Sequence, residues 1–347
     1  MGVVSVQNLF LNLKSYFASA VLVWLAILFY RTDPYYKGFL HVNTQHVLIY
    51  LAAAYSMGGL IFYALIPGRR QLSRGLVIIL ALRRLFAEYT QYLKIFPLRA
   101  KYSAPKPTEQ ERIAILFAVV KLFFLPLMIN FLFDNYNNFK VYFDSVHTGL
   151  PLMTVAGFNT IIFPLVFAAF LIIDTAFFTF GYTLELGFLR NKVRSVEPTL
   201  FGWGVALISY PPFSGLLSNY AIWYANDNAY FSSERITFFV RILLLVLTGI
   251  YASASVALGP KASNLTNRGI VSWGPYRFIR HPAYISKNLV WWITIIPVLS
   301  IAAVLSMLAW SVVYFLRAIT EERHLARDPD YREYCKKVRH RFIPGVV

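Results

Sequence analysis

Residues 154–180 read TVAGFNTIIFPLVFAAFLIIDTAFFTF, an apolar run interrupted by one ionisable side chain, Asp174. A stretch this long with no polar face belongs in lipid, where every backbone polar group must find its partner within the protein. Only helices and closed barrels meet that demand, and a run without strict alternation predicts a helix. The composition extends this reading to the whole chain. Of 347 residues, 58% are hydrophobic, 17% aromatic and only 14% charged, against roughly 25% charged in a soluble domain.

Comparable runs recur from end to end, at about 13–30, 46–67, 113–132, 154–180, 199–223, 236–258, 284–298 and 300–318. The sequence therefore predicts an all-α, polytopic transmembrane bundle of about eight spans. Charge tests that count. With the N-terminus in the cytoplasm, the first segment and the even-numbered connections carry 27 of the 33 Lys and Arg residues. Basic residues favour the cytoplasmic side, so both termini are expected there. The net charge of +17 then reflects topology and anionic lipid headgroups, and nucleic acid is not an expected partner. No small-residue cleavage site follows the apolar run Ala18–Tyr30, so no cleavable signal peptide is expected. A single cysteine, Cys335, excludes an intramolecular disulfide and a Cys-cluster metal site.

Several segments depart from plain spanning helices. In 76–96, Ile78, Leu82, Leu85, Phe86, Tyr89, Tyr92, Leu93 and Phe96 recur at spacings of three and four, with Arg83, Arg84, Glu88 and Lys94 off that stripe. This pattern predicts an amphipathic helix lying in the cytoplasmic interface. Pro211-Pro212 must break the span that begins near Thr199, and Ser103–Glu111, with two prolines, reads as a loop. Lys121, Asp174 and Arg241 fall inside spans. There they can line a polar tunnel, pair with one another or snorkel to the interface.

The polar chemistry gathers at the C-terminal end. Gly274-Pro275-Tyr276-Arg277-Phe278-Ile279-Arg280-His281-Pro282-Ala283-Tyr284 precedes an apolar hairpin and Glu321-Glu322 follows it. Tyr331-Arg332-Glu333-Tyr334 and Phe342-Ile343-Pro344 close the chain. A hairpin of about 35 residues returns both ends to one surface. Gly274-Pro275 suits a turn with close backbone approach, Tyr276 can hydrogen-bond or stack, and Pro282 pre-sets the entry to a helix.

This block, roughly 265–346, resembles the catalytic part of the isoprenylcysteine carboxyl methyltransferase and phospholipid methyltransferase family, integral membrane enzymes that use S-adenosylmethionine. The resemblance implies a donor site formed by Gly274, Tyr276, Arg280, His281, Pro282, Tyr284, Glu321 and Glu322, with Arg280 and Glu321 acting in catalysis. Arg280 and His281 would contact the donor carboxylate; the acidic pair would take its amino group or ribose hydroxyls. It also implies a lipophilic or lipidated acceptor in contact with membrane lipids, and no metal. Residues 1–260 would then form a membrane bundle that helps to bind the acceptor, and 261–347 the methyltransferase-like region, within one integrated membrane domain. A bacterial inner membrane is favoured over the endoplasmic reticulum, because the N-terminal part resembles no eukaryotic member.

Each residue also has a plainer reading. Arg277 and Arg280 can be interfacial anchors, His281 can be structural, and Glu321 can pair with Arg317 at i,i+4. Trp291 and Trp292 can face a sulfonium or simply pack. Two departures stand out. Ser286, followed by Lys287 and Asn288, occupies the place of a family glycine and suggests a changed acceptor; Asp328-Pro329-Asp330 replaces another glycine. The sequon at Asn264 falls on the cytoplasmic side, where glycosylation is not expected. Two alternatives stay open. One is a sterol-reductase-like enzyme using NADPH, which the tail from Tyr334-Cys335 to Gly345 resembles. The other is a non-catalytic scaffold or lipid-binding protein. Neither the acceptor nor the oligomeric state is written in these residues.

Overall fold

The computed structural model describes residues 6–65, 72–95, 103–147 and 151–345, and the chain divides between residues 130 and 131 into two compact units. The protein is an all-α polytopic bundle. Among the described residues, six helices are long and apolar enough to cross a membrane.

The first unit holds α1 (Val6–Thr32), α2 (Pro34–Phe39), α3 (Val42–Leu65), α4 (Arg74–Ile95) and the first part of α5 (Glu109–Ser145). α1 packs against both α3 and α4. Gly75 lets α4 approach so closely that a Cβ there would meet the Ser19 Cα at 2.6 Å. Pro126 sits inside α5 and cannot donate to the carbonyl of Leu122. The Tyr30 hydroxyl donates to that carbonyl instead, at 2.9 Å. Asn130 Oδ1 accepts from the His41 backbone N–H (2.7 Å) and Thr44 Oγ1 (3.0 Å), fastening the start of α3. In α4, Leu76, Ile78 and Ala81 are buried, whereas Leu82, Phe86, Tyr89 and Leu93 stand exposed as an unbroken apolar stripe. Off that stripe, Arg84 pairs with Glu88 (2.8 Å) and Glu111 (2.6 Å). Phe96, and residues 66–67 of the expected second span, lie outside the described residues.

In the second unit α6 (Val155–Gly157) continues through a π-helical turn, Phe158–Ile162, into α7 (Phe163–Thr183). Next come β1 (Ser195–Val196), α8 (Leu200–Leu207), α9 (Ser214–Ser218) and α10 (Glu234–Leu258). β2 (Thr266–Asn267) pairs antiparallel with β1, and α11 (Pro282–Thr294), α12 (Ile301–Leu325) and α13 (Pro329–Lys337) complete the unit. α10 is its axis, packed on both α7 and α11. α7 and α10 run parallel. Asn159, before α7, donates to Glu234 O at the start of α10 (3.0 Å), and beyond their other ends Asn191 donates to Pro260 O (3.2 Å).

Two consecutive parallel helices oblige the chain between them to traverse the unit. Residues 199–223 do so in pieces, because Pro211 and Pro212 supply no N–H and the helix stops at Leu207. Their path is marked along α12, where Arg323 meets Glu197 (3.1 Å) and Trp310 donates to Ala221 O (3.0 Å). The run 284–298 is also no full helix. α11 has 13 residues, about 20 Å, against a hydrocarbon core of about 30 Å, and the short 3-10 turn Ile296–Val298 extends it. Six of the eight expected spans are thus long helices; the fifth and seventh traverse the unit as broken or short segments.

In the second unit, Arg241 and Asp174 are held by different partners rather than by each other. Arg241 reaches the carbonyls of Asn159, Asn228 (3.3 Å) and Ala229 (3.4 Å) and lies over Phe163. Asp174 accepts from Tyr251 (2.6 Å) and Ser255. Lys121 lies over the Phe117 ring at 5.1 Å.

Candidate active site

Where α10 ends at Gly259, the following loop folds back over the helix end. Gly274 makes that possible. It has φ +61°, and a Cβ there would press on Ala257 Cβ at 3.1 Å, so glycine is required on both counts. The loop is closed from above by the C-terminal tail. Arg280 N–H donates to His340 O (3.0 Å) and His281 N–H to Arg341 O (2.9 Å). Tyr334 on α13 donates to Tyr276 O (2.7 Å). Pro282 then opens α11 from its first turn.

The adjacent carboxylates of α12 have different partners, since neighbours on a helix point about 100° apart. Glu322 is buried and locked. His281 Nε2 lies 3.1 Å from its Oε1, Arg280 Nε 3.3 Å from the same oxygen, and Arg341 Nε donates to Oε2 at 2.9 Å. These partners compensate the buried Glu322 carboxylate at a helix C-terminus, where the helix dipole disfavours a negative charge. Glu321 instead borders an open cavity, where Tyr284 Oη donates to its Oε2 at 2.7 Å. The His281 ring stacks on Tyr284 at 5.3 Å, joining the locked carboxylate to the open one.

That cavity encloses about 1030 Å³ when the solvent space at its mouth is included. Its central cation is the buried Arg317. The guanidinium donates to Asn264 Oδ1 (3.0 Å) and lies over the rings of Tyr210, Tyr284 and Tyr314 at 5.5, 5.4 and 5.2 Å. Glu197, 2% exposed, closes one side and accepts from Thr199 N–H (3.1 Å) and Arg323 (3.1 Å). Asp174, Tyr251 and Lys287 line the deep end. Burial raises the phenol of Tyr276, and the nearby Glu321 charge adds to the effect, so Tyr276 faces the cavity as a neutral donor. The cavity thus sets a guanidinium, carboxylates and several aromatic faces around one space. It suits a ligand carrying both signs of charge and a planar or cationic group.

Residues 238–328 match the family model for phospholipid methyltransferase. The C-terminal part of the chain is a match to that family. No curated protein matches the chain. A methyltransferase-family region therefore lies within a helical membrane protein. The matched phospholipid methyltransferase region includes most of α10, which the resemblance read from 265 onward leaves out, and it stops before the Tyr331–Tyr334 helix.

Within and around this phospholipid methyltransferase region the expected residues divide. Tyr276, Arg280, His281, Tyr284 and Glu321 line the cavity; Gly274, Pro282 and Glu322 do not. Arg280 is largely committed to the tail, donating to Cys335 Sγ (3.2 Å) and Arg339 O (3.2 Å). Arg317 does not pair with Glu321 along α12; it turns into the tyrosines. Trp291 packs edge-on against Trp223 and Tyr314, and Trp292 donates to Ser311, so neither waits for a sulfonium. Ser286 spends its hydroxyl on Pro282 O (2.7 Å). Asp328 caps α13 and clamps Asn267 (2.8 Å) and Arg194 (2.8 Å). Sequence reading missed Arg317, Tyr210, Asn264 and Glu197 as cavity groups. Tyr210 and Glu197 precede the matched region, and no local spacing ties them to it. Arg317 did carry a signal, as a basic residue one turn before Glu321 on a membrane helix.

Proposed function

We propose that the protein is an S-adenosylmethionine-dependent methyltransferase acting on a lipophilic acceptor at the membrane. The observation that carries this reading is the buried Arg317, caged by three tyrosines and lining one cavity together with Glu321, one turn further along α12, at the matched end of the chain. The residues present fit the donor. Arg317 would hold its carboxylate, Glu321 its amino group or ribose hydroxyls, and the tyrosine faces its cationic sulfur. When bound, the donor supplies an activated methyl group. The protein's part is then to orient two ligands in line and exclude water. The Glu322 lock with Arg280, His281 and Arg341 fixes the loop that leads into α11, and the stacked His281 ring so holds Tyr284 on the cavity wall.

The test is calorimetric binding of S-adenosylhomocysteine to the detergent-purified protein, with NADPH as the rival ligand. Binding is expected in the micromolar range. Arg317→Lys and Glu321→Gln are each expected to weaken it about tenfold or more, since a charge-assisted contact in a desolvated site contributes roughly 1.5–3 kcal/mol. Lysine does not rescue because it cannot present a planar fork between rings. Binding of NADPH in preference to S-adenosylhomocysteine would move the protein to the reductase class.

A further inference from the structure

One carboxylate oxygen on the cavity wall has no donor. β1 alternates its side chains between two faces, so Ser195 and Glu197 both turn towards the end of α12. There Ser195 Oγ lies 2.9 Å from His324 Nε2, and Glu197 meets Arg323. Glu197 Oε1 is fully engaged: it accepts from the Thr199 N–H (3.1 Å), the Thr199 hydroxyl and Arg323 (3.1 Å). Oε2 is buried, yet among the described residues nothing donates to it. Leaving such an oxygen unpaired is costly, and the carboxylate has no room to turn away. Gly202, in the first turn of α8, lies so close that a Cβ there would meet Glu197 Cδ at 2.6 Å. Glu197 lines the cavity, so a ligand bound there can supply the missing donor. The cavity also runs along α12. Arg317, Glu321 and His324 line it from one helix face, at spacings of four and three, and the rise from the first to the last is about 10 Å. Arg317 thus marks one end of an elongated ligand and Glu197 with His324 the other. At this second end Leu265, whose carbonyl accepts from the Glu197 N–H (2.8 Å), and Leu325, next to His324, add apolar surface. Leu265 has φ +62°, a left-handed conformation rare for leucine and found where a site imposes it.

We infer that Glu197 Oε2 accepts a hydrogen bond from the exocyclic amino group of the methyl donor's adenine, at the end of the cavity away from Arg317. The inference rests on the proposed methyl-transfer reading and adds a specificity residue to it. Glu197 precedes the matched region 238–328, so this contact comes from β1 and not from the segment that the family model covers. The charge on Glu197 is already met by Arg323, so its free oxygen calls for a neutral donor rather than a second cation. A single free oxygen suits a single N–H, whereas the paired hydroxyls of a ribose would bring two donors. The hydroxyls of Ser263 and Thr266, also on this wall, bond to each other. A flat base edged by one amino group therefore fits between the leucines. The donor then lies along α12, with its base at β1 and its amino-acid end at Arg317.

Two ligands and two variants of the full chain, compared by calorimetry in detergent, test this without turnover. The ligands are S-adenosylhomocysteine and its 6-deamino analogue, in which hydrogen replaces the amino group. The wild type is expected to bind the first at least about tenfold more tightly, because the analogue leaves Oε2 unpaired. In Glu197→Gln the donors that hold Oε1 fix the amide oxygen, so the amide N–H takes the place of Oε2 and faces the ligand. This variant is expected to lose or reverse the preference while binding the analogue within about twofold of the wild type, which also reports that it is folded. Glu197→Asp keeps the charge but withdraws the oxygen by one methylene, and should lose most of the preference too. A wild type that binds both ligands equally, or a preference that survives in either variant, overturns the inference while S-adenosylhomocysteine binding leaves the methyltransferase reading standing. A uniform loss of both ligands in both variants also overturns it, because Glu197 then acts on the fold and not on the base. Failure of the wild type to bind S-adenosylhomocysteine at all removes the reading on which the inference depends.

Discussion

Glu321 and Glu322 are chemically identical and adjacent, and their surroundings give them different tasks. Glu322 is surrounded by three cationic or proton-bearing partners, with its side chain 10% exposed. Removing one member of a buried ion cluster costs about 3–5 kcal/mol, because the remaining charges lose their counter-ion. Glu322→Gln is therefore expected to lower the thermal unfolding midpoint substantially. Glu321 is exposed at the cavity and bonded to Tyr284 alone among the described contacts. Glu321→Gln should cost within about 1 kcal/mol of stability and show its effect in donor binding instead. Thermal scans in detergent set beside calorimetry separate the two; a larger stability loss for Glu321→Gln would reverse these roles.

At the scale of elements, the β1–β2 pair and α13 act as a clasp on the loop over α10. Asp328 is its pin, joined to Asn267, Arg194 and the start of α13. Partial burial pushes this carboxyl up, but the hydrogen bonds from Asn267 and Arg194 outweigh it, so it titrates below the usual carboxylate range. The folded value lies below an unfolded value of about 3.9. The clasp is therefore at full strength above that pH and is lost as pH falls through the folded value. The thermal midpoint of the wild type should exceed that of Asp328→Asn by a constant margin from pH 7 down to about pH 5, and the margin should shrink progressively as pH falls below about 4. A margin that does not shrink at all on acidification below about pH 4 would show that Asp328 acts through its shape as a cap rather than its charge.

At the scale of the molecule, the parallel run of α7 and α10 makes residues 199–223 traverse the second unit without a continuous helix. Asn226 then lies beyond one end of that path, and Glu333 on α13 at the other. In a Cys335→Ser background, Asn226→Cys and Glu333→Cys should react with a membrane-impermeant maleimide from opposite sides of oriented vesicles. Labelling of both from one side would mean that 199–223 does not cross the bilayer.

The sequence by itself determined the membrane bundle, six of the long helices and the loop-and-hairpin region that matches a methyltransferase family. Hydrophobic run length and residue order are one-dimensional properties, and the bilayer reads them directly. The stripe in α4 was legible for the same reason, as a period along the chain. Which carboxylate faces the cavity was not legible, because Glu321 and Glu322 differ only by the rotation of one helix. Nor was the importance of Arg317, Tyr210 and Glu197. Their meeting depends on a proline-broken segment returning alongside α12, a contact between residues about a hundred positions apart. Only the tertiary structure sets that distance, because it is fixed by packing between elements rather than by spacing along any one of them.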